Sequence, residues 1–132
     1  MIRAVLADTN ALYAAVDEAD ERHERASNDL RKLEREKRLI IVAYPTLLET
    51  HSLVLIRLGK AAARQWLVLM SDAALINPDV DDYRQAIARL EGFPDQKITV
   101  FDATLAVLSR RLELPVWTYD HHFDVMRIPV WR

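Results

Sequence analysis

The sequence predicts an α/β fold, a mainly parallel sheet of five strands with helices over both faces. Three observations carry the prediction. Short apolar runs recur along the chain and alternate with segments of helical pattern. The runs are apolar at successive positions, so both faces of each strand are covered, as in parallel sheets. Turn and stop signals stand between them: Gly59 and Gly92 at expected helix ends, and Asn77-Pro78 after the third run.

The elements follow in order. Ile2 to Ala7 reads as a short buried strand ending at Asp8, and Asn10 to Val16 as a helix. From Asp17 to Arg38 charges of both signs are dense around a thin apolar stripe at Ala26, Leu30 and Leu33, the pattern of an exposed helix. Leu39 to Ala43 is a buried strand. Thr46 to Leu58 is a helix stopped by Gly59, and Lys60 to Met70 a second one. Ala73 to Ile76 is a strand, Asp79 to Leu90 a helix, Glu91 to Lys97 a loop. Thr99 to Leu112 is a strongly apolar helix with its core stripe at Phe101, Leu105, Leu108 and Leu112. Pro115 to Tyr119 and Ile128 to Trp131 are the last two strands. No linker, repeat or low-complexity block divides the chain, so one domain over 1–132 is expected.

Composition narrows the function classes. Of 132 residues 51% are hydrophobic, enough for a real core. The net charge of −2 gives no global basic field for nucleic acid, which leaves local patches or a bound metal to do any steering. Without cysteine there are no disulfides and no thiolate zinc sites. No apolar run is long enough to cross a bilayer. MIRAVLAD lacks the apolar stretch and cleavage site of a signal peptide, so a cytoplasmic protein is expected.

Four acids stand at expected element boundaries: Asp8, Glu49, Asp102 and Asp120. Each has an ordinary explanation as a helix or turn cap. Asp8-Thr9-Asn10 suits the first helix, Thr46-Leu47-Leu48-Glu49 and Thr99-Val100-Phe101-Asp102 read as capping boxes, and Asp120 suits a turn through His121-His122-Phe123. The helix faces favour a second role. Apolar residues nearly surround the Thr46–Leu58 helix, and Glu49 projects between Leu53 and Ile56, where a carboxylate needs a partner. Asp102 lies beside the small residues Ala106 and Ser109. Carboxylates titrate near pH ~4, so four gathered together repel one another and need a cation. Oxygen-only ligands suit Mg²⁺ or Mn²⁺. A metal-dependent phosphodiester enzyme is the leading expectation.

Other candidates carry less. His121 and His122 beside Asp120 read first as polar turn residues, with contact to a phosphate or leaving group as the sharper option. His51 reads as a hydrogen-bonded core histidine. Arg22, Arg25, Arg31, Lys32, Arg35, Lys37 and Arg38 read as a solvated face, and Trp66, Trp117 and Trp131 as core or interface anchors.

The pattern resembles PIN domains, in particular VapC-type ribonuclease toxins. The matching pieces are Asp8-Thr9-Asn10-Ala11-Leu12 after the first strand, Glu49, Phe101-Asp102-Ala103-Thr104-Leu105-Ala106, and Thr118-Tyr119-Asp120-His121-His122-Phe123-Asp124. Their order and spacing agree over essentially the whole chain. The resemblance implies a three-layer α/β/α domain and a Mg²⁺- or Mn²⁺-dependent endoribonuclease that hydrolyses RNA and is neutralised by a cognate antitoxin; homodimers are common in such a family. Carried over, Asp8, Asp102 and Asp120 are the metal-binding acids and Glu49 the fourth catalytic acid. Thr9, Asn10 and Thr118 match polar positions that orient the acids. Asp124 matches an auxiliary position.

Three other readings compete. A catalytically silent PIN-like domain that binds RNA or protein shares the whole pattern. A receiver-like signalling module wants an acid adjacent to Asp8, a phosphoacceptor after the third strand and a Lys after the fifth, which the sequence lacks. A nucleotide-binding doubly wound domain wants a glycine-rich loop, and the chain has two glycines.

Overall fold

The computed structural model describes residues 3–132. The elements are β1 (Ala4–Ala7), α1 (Thr9–Val16), α2 (His23–Arg35), β2 (Leu39–Ala43), α3 (Tyr44–Leu58), α4 (Lys60–Met70), β3 (Ala74–Ile76), α5 (Val80–Leu90), α6 (Val100–Leu112), β4 (Val116–Trp117) and α7 (His122–Val125). The strand start expected at Ile2 lies outside the described residues.

The sheet is parallel throughout, in the order β3-β2-β1-β4. Its strands alternate their side chains between two cores, as a two-residue period requires. Val5, Ala7, Val42 and Trp117 face a core built with α1, α2, α3 and α4. Leu6, Ala43 and Val116 face a second core built with α6 and α7. α5 packs on α6 through Ala86, Ala103 and Val107. This is a three-layer α/β/α arrangement. The chain builds outward from β1 to β3 and then returns to place β4 on the other side of β1. With right-handed crossovers, that reversal moves the later helices to the opposite face.

Among the described residues four strands form the sheet, not five. The segment expected as the last strand makes one isolated parallel bridge, Val116 to Val130, with two hydrogen bonds to Val116. Pro129 lies inside this segment and has no N–H to extend the ladder.

Other boundaries move for local reasons. The expected Asp17–Arg38 helix starts only at His23. The side chains of Asp17 and Asp20 take the backbone N–H groups of Ala19 and Arg22, and so build turns instead. α3 begins two residues early, with Pro45 in its first turn. Gly59 (φ 94°) separates α3 from α4 in a backbone region that strains other residues. α3 is not apolar all round into the core: Leu48, Leu55, Ile56 and Leu58 are exposed. Phe101, expected in the core stripe of α6, is also exposed, while Ala103 to Ser109 are buried on every side. Trp66, Trp117 and Trp131 are all buried. His51 is only partly buried. Among the described residues no helix is long and apolar enough to cross a membrane.

Candidate active site

The strand order reverses between β1 and β4, and the carboxyl ends of those two strands open onto a crevice. Asp8 follows β1 and Asp120 follows β4 by three residues. Asp102 sits in the first turn of α6 and Glu49 in the first half of α3. All four acids line one cleft of about 390 Å³, together with Thr9, Asn10, Tyr13, Asp20, Arg22, Leu53, Arg57, Lys97, Thr99 and His122.

Capping and convergence are both real for three of the acids. Asp8 accepts the backbone N–H of Thr9 at 2.8 Å with one oxygen and the Thr118 hydroxyl at 2.8 Å with the other. Asp102 completes a capping box with Thr99. Asp120 accepts the backbone N–H of His122 at 2.9 Å. Glu49 is different. The capping box expected from Thr46 to Glu49 does not form, because α3 starts earlier and Thr46 lies inside it. Thr46 is buried, and Glu49 reaches across to accept the hydroxyl of Thr9.

The polar neighbours tie these acids to one another. The Thr118 oxygen donates to Asp8 and accepts from the backbone N–H of Asp120 at 3.0 Å. Asn10 donates to Thr118 at 3.3 Å and accepts the backbone N–H of Tyr119 at 3.1 Å. Tyr119 in turn donates its hydroxyl to Asp29 on α2 at 2.6 Å, which anchors the segment leading to Asp120. Thr9, Asn10 and Thr118 therefore stand where they orient the acids. Asp124 does not. It sits on α7, 55% exposed, paired with Arg132 at 3.1 Å, and the cleft does not include it.

Among the described residues no Lys or Arg pairs directly with these acids, although Arg22, Arg57 and Lys97 line the same cleft. Histidine rings stand beside two of them: His121 and His122 lie 3.6 and 3.2 Å from Asp120, and His122 lies 3.6 Å from Asp102. Burial pushes the Asp8 carboxyl up to about 7, against the pull of Thr118, and the charges of Asp102 and Asp120 add to the rise. Burial, with a smaller contribution from Asp120, likewise raises Asp102. A group of carboxylates held together at such cost is suited to a hard divalent cation, and its oxygen donors are the type that Mg²⁺ and Mn²⁺ take.

Sequence reading missed several lining groups. His122 read first as a turn residue; its place next to Asp120 was the one signal available. Arg57 and Lys97 gave no signal, and Arg22 read as part of a solvated face. In the structure Arg57 lies 5.0 Å over the Tyr13 ring and Arg22 6.0 Å from the Tyr119 ring, so aromatic side chains hold both near the cleft.

A family model for the PIN domain matches residues 5–129. Among solved structures, the chain is similar to VapC20 of Mycobacterium tuberculosis, a toxin that cleaves the sarcin–ricin loop. The TM-score is 0.85 at 21% identity, over 98% of this chain and 99% of that one. It is similar to VapBC2 from Rickettsia felis, solved bound to a DNA fragment from their promoter, with TM-score 0.74 at 18% identity over 100% and 98%. It is also similar to a toxin–antitoxin complex from Klebsiella pneumoniae, with TM-score 0.67 at 18% identity over 89% and 88%. No curated protein matches the chain in sequence.

Proposed function

The chain belongs to the PIN-domain family, and from its cleft we propose that it is a metal-dependent endoribonuclease, the toxin of a toxin–antitoxin pair. One observation carries the reading. Four carboxylates from four separate stretches of chain line a single cleft, and no Lys or Arg of the described residues forms an ion pair with them. Similarity to toxin structures over nearly the whole chain supports the choice of RNA as substrate and of an antitoxin as partner.

Asp8, Asp102 and Asp120 would hold Mg²⁺ or Mn²⁺, and Glu49 completes the acidic wall. The bound cation supplies Lewis acidity, activating water and screening the phosphate. The chain's own residues do the rest. Thr118, fixed by Asn10, sets the rotamer of Asp8 and the backbone at Asp120. Thr9 holds Glu49 against the end of α1. Arg22, Arg57 and Lys97 line the same cleft and are placed to take the phosphates flanking the cleaved bond, which answers the absence of a global basic field. Attack by water leaves a 5′-phosphate and a 3′-hydroxyl; a 2′,3′-cyclic phosphate product would refute this route.

Large exposed apolar side chains, including Leu48, Ile56, Val68 and Leu69, offer surface for the antitoxin and for a second copy of the chain. The deciding experiment is cleavage of cellular RNA by the purified protein with Mg²⁺, Mn²⁺ or EDTA, beside Asp8→Asn. Cleavage that needs both metal and Asp8 supports the proposal. Folded, metal-loaded protein that cuts no RNA would instead favour a silent binding domain.

A further inference from the structure

We infer that His122 is itself a ligand of the divalent cation, through Nδ1, beside Asp102 and Asp120. The inference rests on the metal reading above and deepens it.

His122 Nδ1 is buried and has no hydrogen-bond partner among the described residues. A buried ring nitrogen left unsatisfied is costly, and native structures keep few of them. This one lies 3.2 Å from Asp120 Oδ2 and 3.6 Å from Asp102 Oδ2. Neighbouring ligands of an octahedral ion with arms of about 2.1 Å stand about 3 Å apart. Nδ1 therefore stands close to ligand spacing from Asp120 Oδ2 and somewhat farther from Asp102 Oδ2, so one ion can take Nδ1 together with either carboxylate oxygen. The contact with Asp120 falls short of hydrogen-bond geometry, so Nδ1 is not already used as a donor there.

The backbone that carries the ring is fixed. His122 opens α7, its backbone N–H is held by Asp120 at 2.9 Å, and its carbonyl accepts Met126 N–H at 2.9 Å. The next residue, Phe123, is fully buried. His121 also offers a ligand atom within 4.8 Å of those of Asp120 and His122, but it is the weaker candidate. It is 75% exposed, and the Asp120 oxygen nearest it is already taken by the backbone of His122.

The chemical consequence is selectivity. Mg²⁺ takes oxygen ligands, whereas an imidazole nitrogen favours transition ions. With His122 as a ligand, the site binds Mn²⁺ in preference to Mg²⁺, and His122→Gln erodes that preference. Mn²⁺ affinity should fall at least roughly tenfold in the variant, with a much smaller change for Mg²⁺.

The test is pulsed EPR of the Mn²⁺-loaded chain, which reads nitrogen coupling directly and does not depend on turnover. Expected is a ¹⁴N coupling that becomes ¹⁵N when only histidines are ¹⁵N-labelled, persists in His121→Gln and vanishes in His122→Gln. Should His122→Gln fail to fold, the labelled wild type and His121→Gln still decide the matter. Bound Mn²⁺ without histidine coupling overturns the His122 assignment and leaves the metal site standing. Folded protein that binds no Mn²⁺ overturns both.

Discussion

Asp8 and Asp82 are both buried aspartates at helix starts, 7% and 1% exposed, and their surroundings treat them in opposite ways. Asp82 belongs to a capping box with Asp79 at the head of α5. It receives two hydrogen bonds from Arg111 on α6, at 2.9 and 2.7 Å. Those bonds hold its carboxyl below the usual carboxylate range, against the cost of burial. Asp8 caps α1 and is bonded by Thr118, yet no cation of the described residues pairs with it, and burial pushes it up to about 7. The fold answers one buried carboxylate with an arginine and leaves the other beside two more acids. Burial with a built-in counterion staples helices together; burial without one marks a place where the charge must come from outside.

The largest effect expected from breaking this contrast is on activity. Asp8→Asn should lower RNA cleavage by roughly a thousandfold, the several kcal/mol that a metal ion contributes to such transition states. The same substitution should raise the melting temperature of the metal-free protein near neutral pH, because removing an uncompensated buried charge, with an acceptor kept for the Thr9 N–H, outweighs the loss of the one hydrogen bond from Thr118. Circular dichroism in EDTA measures this, and a lowered melting temperature would show that Asp8 is structural, like Asp82.

Next in size is the opposite experiment. Arg111→Met keeps the apolar stem and removes the counterion. Asp82 is then buried with only its capping-box contacts, at a cost of about 2 kcal/mol, less than for a fully buried pair because Arg111 is 44% exposed. Urea unfolding should show that loss, while Mn²⁺ binding measured by calorimetry stays unchanged. Weakened metal binding would mean that the two regions are coupled.

The two aspartates also pull stability in opposite directions with pH. Asp8 is raised when folded, so folding takes up a proton between its ordinary value of 3.8 and about 7. Its contribution is present at low pH and is lost as pH rises through that window. Asp82 is lowered, so its contribution is present above the ordinary range and lost as pH falls through its depressed value. In EDTA the melting temperature should therefore decline as pH rises from about 4 to about 7, and excess Mg²⁺ should flatten the decline, since metal competes with the proton. A slope unaffected by Asp8→Asn would assign the effect to other groups.

The smallest effect concerns the cleft's own cations. Lys97→Ala and Arg57→Ala should each raise KM for RNA roughly threefold to tenfold with kcat little changed, and should lessen the salt dependence of binding. Equal losses in kcat would instead put these side chains at the reacting phosphate.

Much of this was legible in the chain. The apolar run of β1 needed no tertiary help, because continuous Val, Leu and Ala with flanking helical patterns suit a strand covered on both faces; β2 was legible as a strand but not as a wholly buried one, since Leu39 is exposed and Ile40 and Ile41 are half-buried. Asp8, Asp102 and Asp120 were legible because each abuts such a run or helix start. The errors share a cause. The last strand, the start of α2 and the start of α3 turn on Pro129, on the Asp17 and Asp20 turns, and on Pro45, which compete locally with the regular pattern. Phe101 and the outer face of α3 were misplaced because periodicity tells which residues share a face and not which face meets the core.

By itself, then, the sequence determined the alternation of strands and helices and set acids at their ends, since those depend on residues a few positions apart. Only the tertiary structure decided which polar groups meet. Strand order brought the end of β1 beside the end of β4, Glu49 turned from a cap to Thr9, His122 turned toward Asp102 and Asp120, and Asp124 turned away to Arg132. Such meetings join residues up to about a hundred positions apart, and their geometry is set by how the layers pack, which no local pattern encodes.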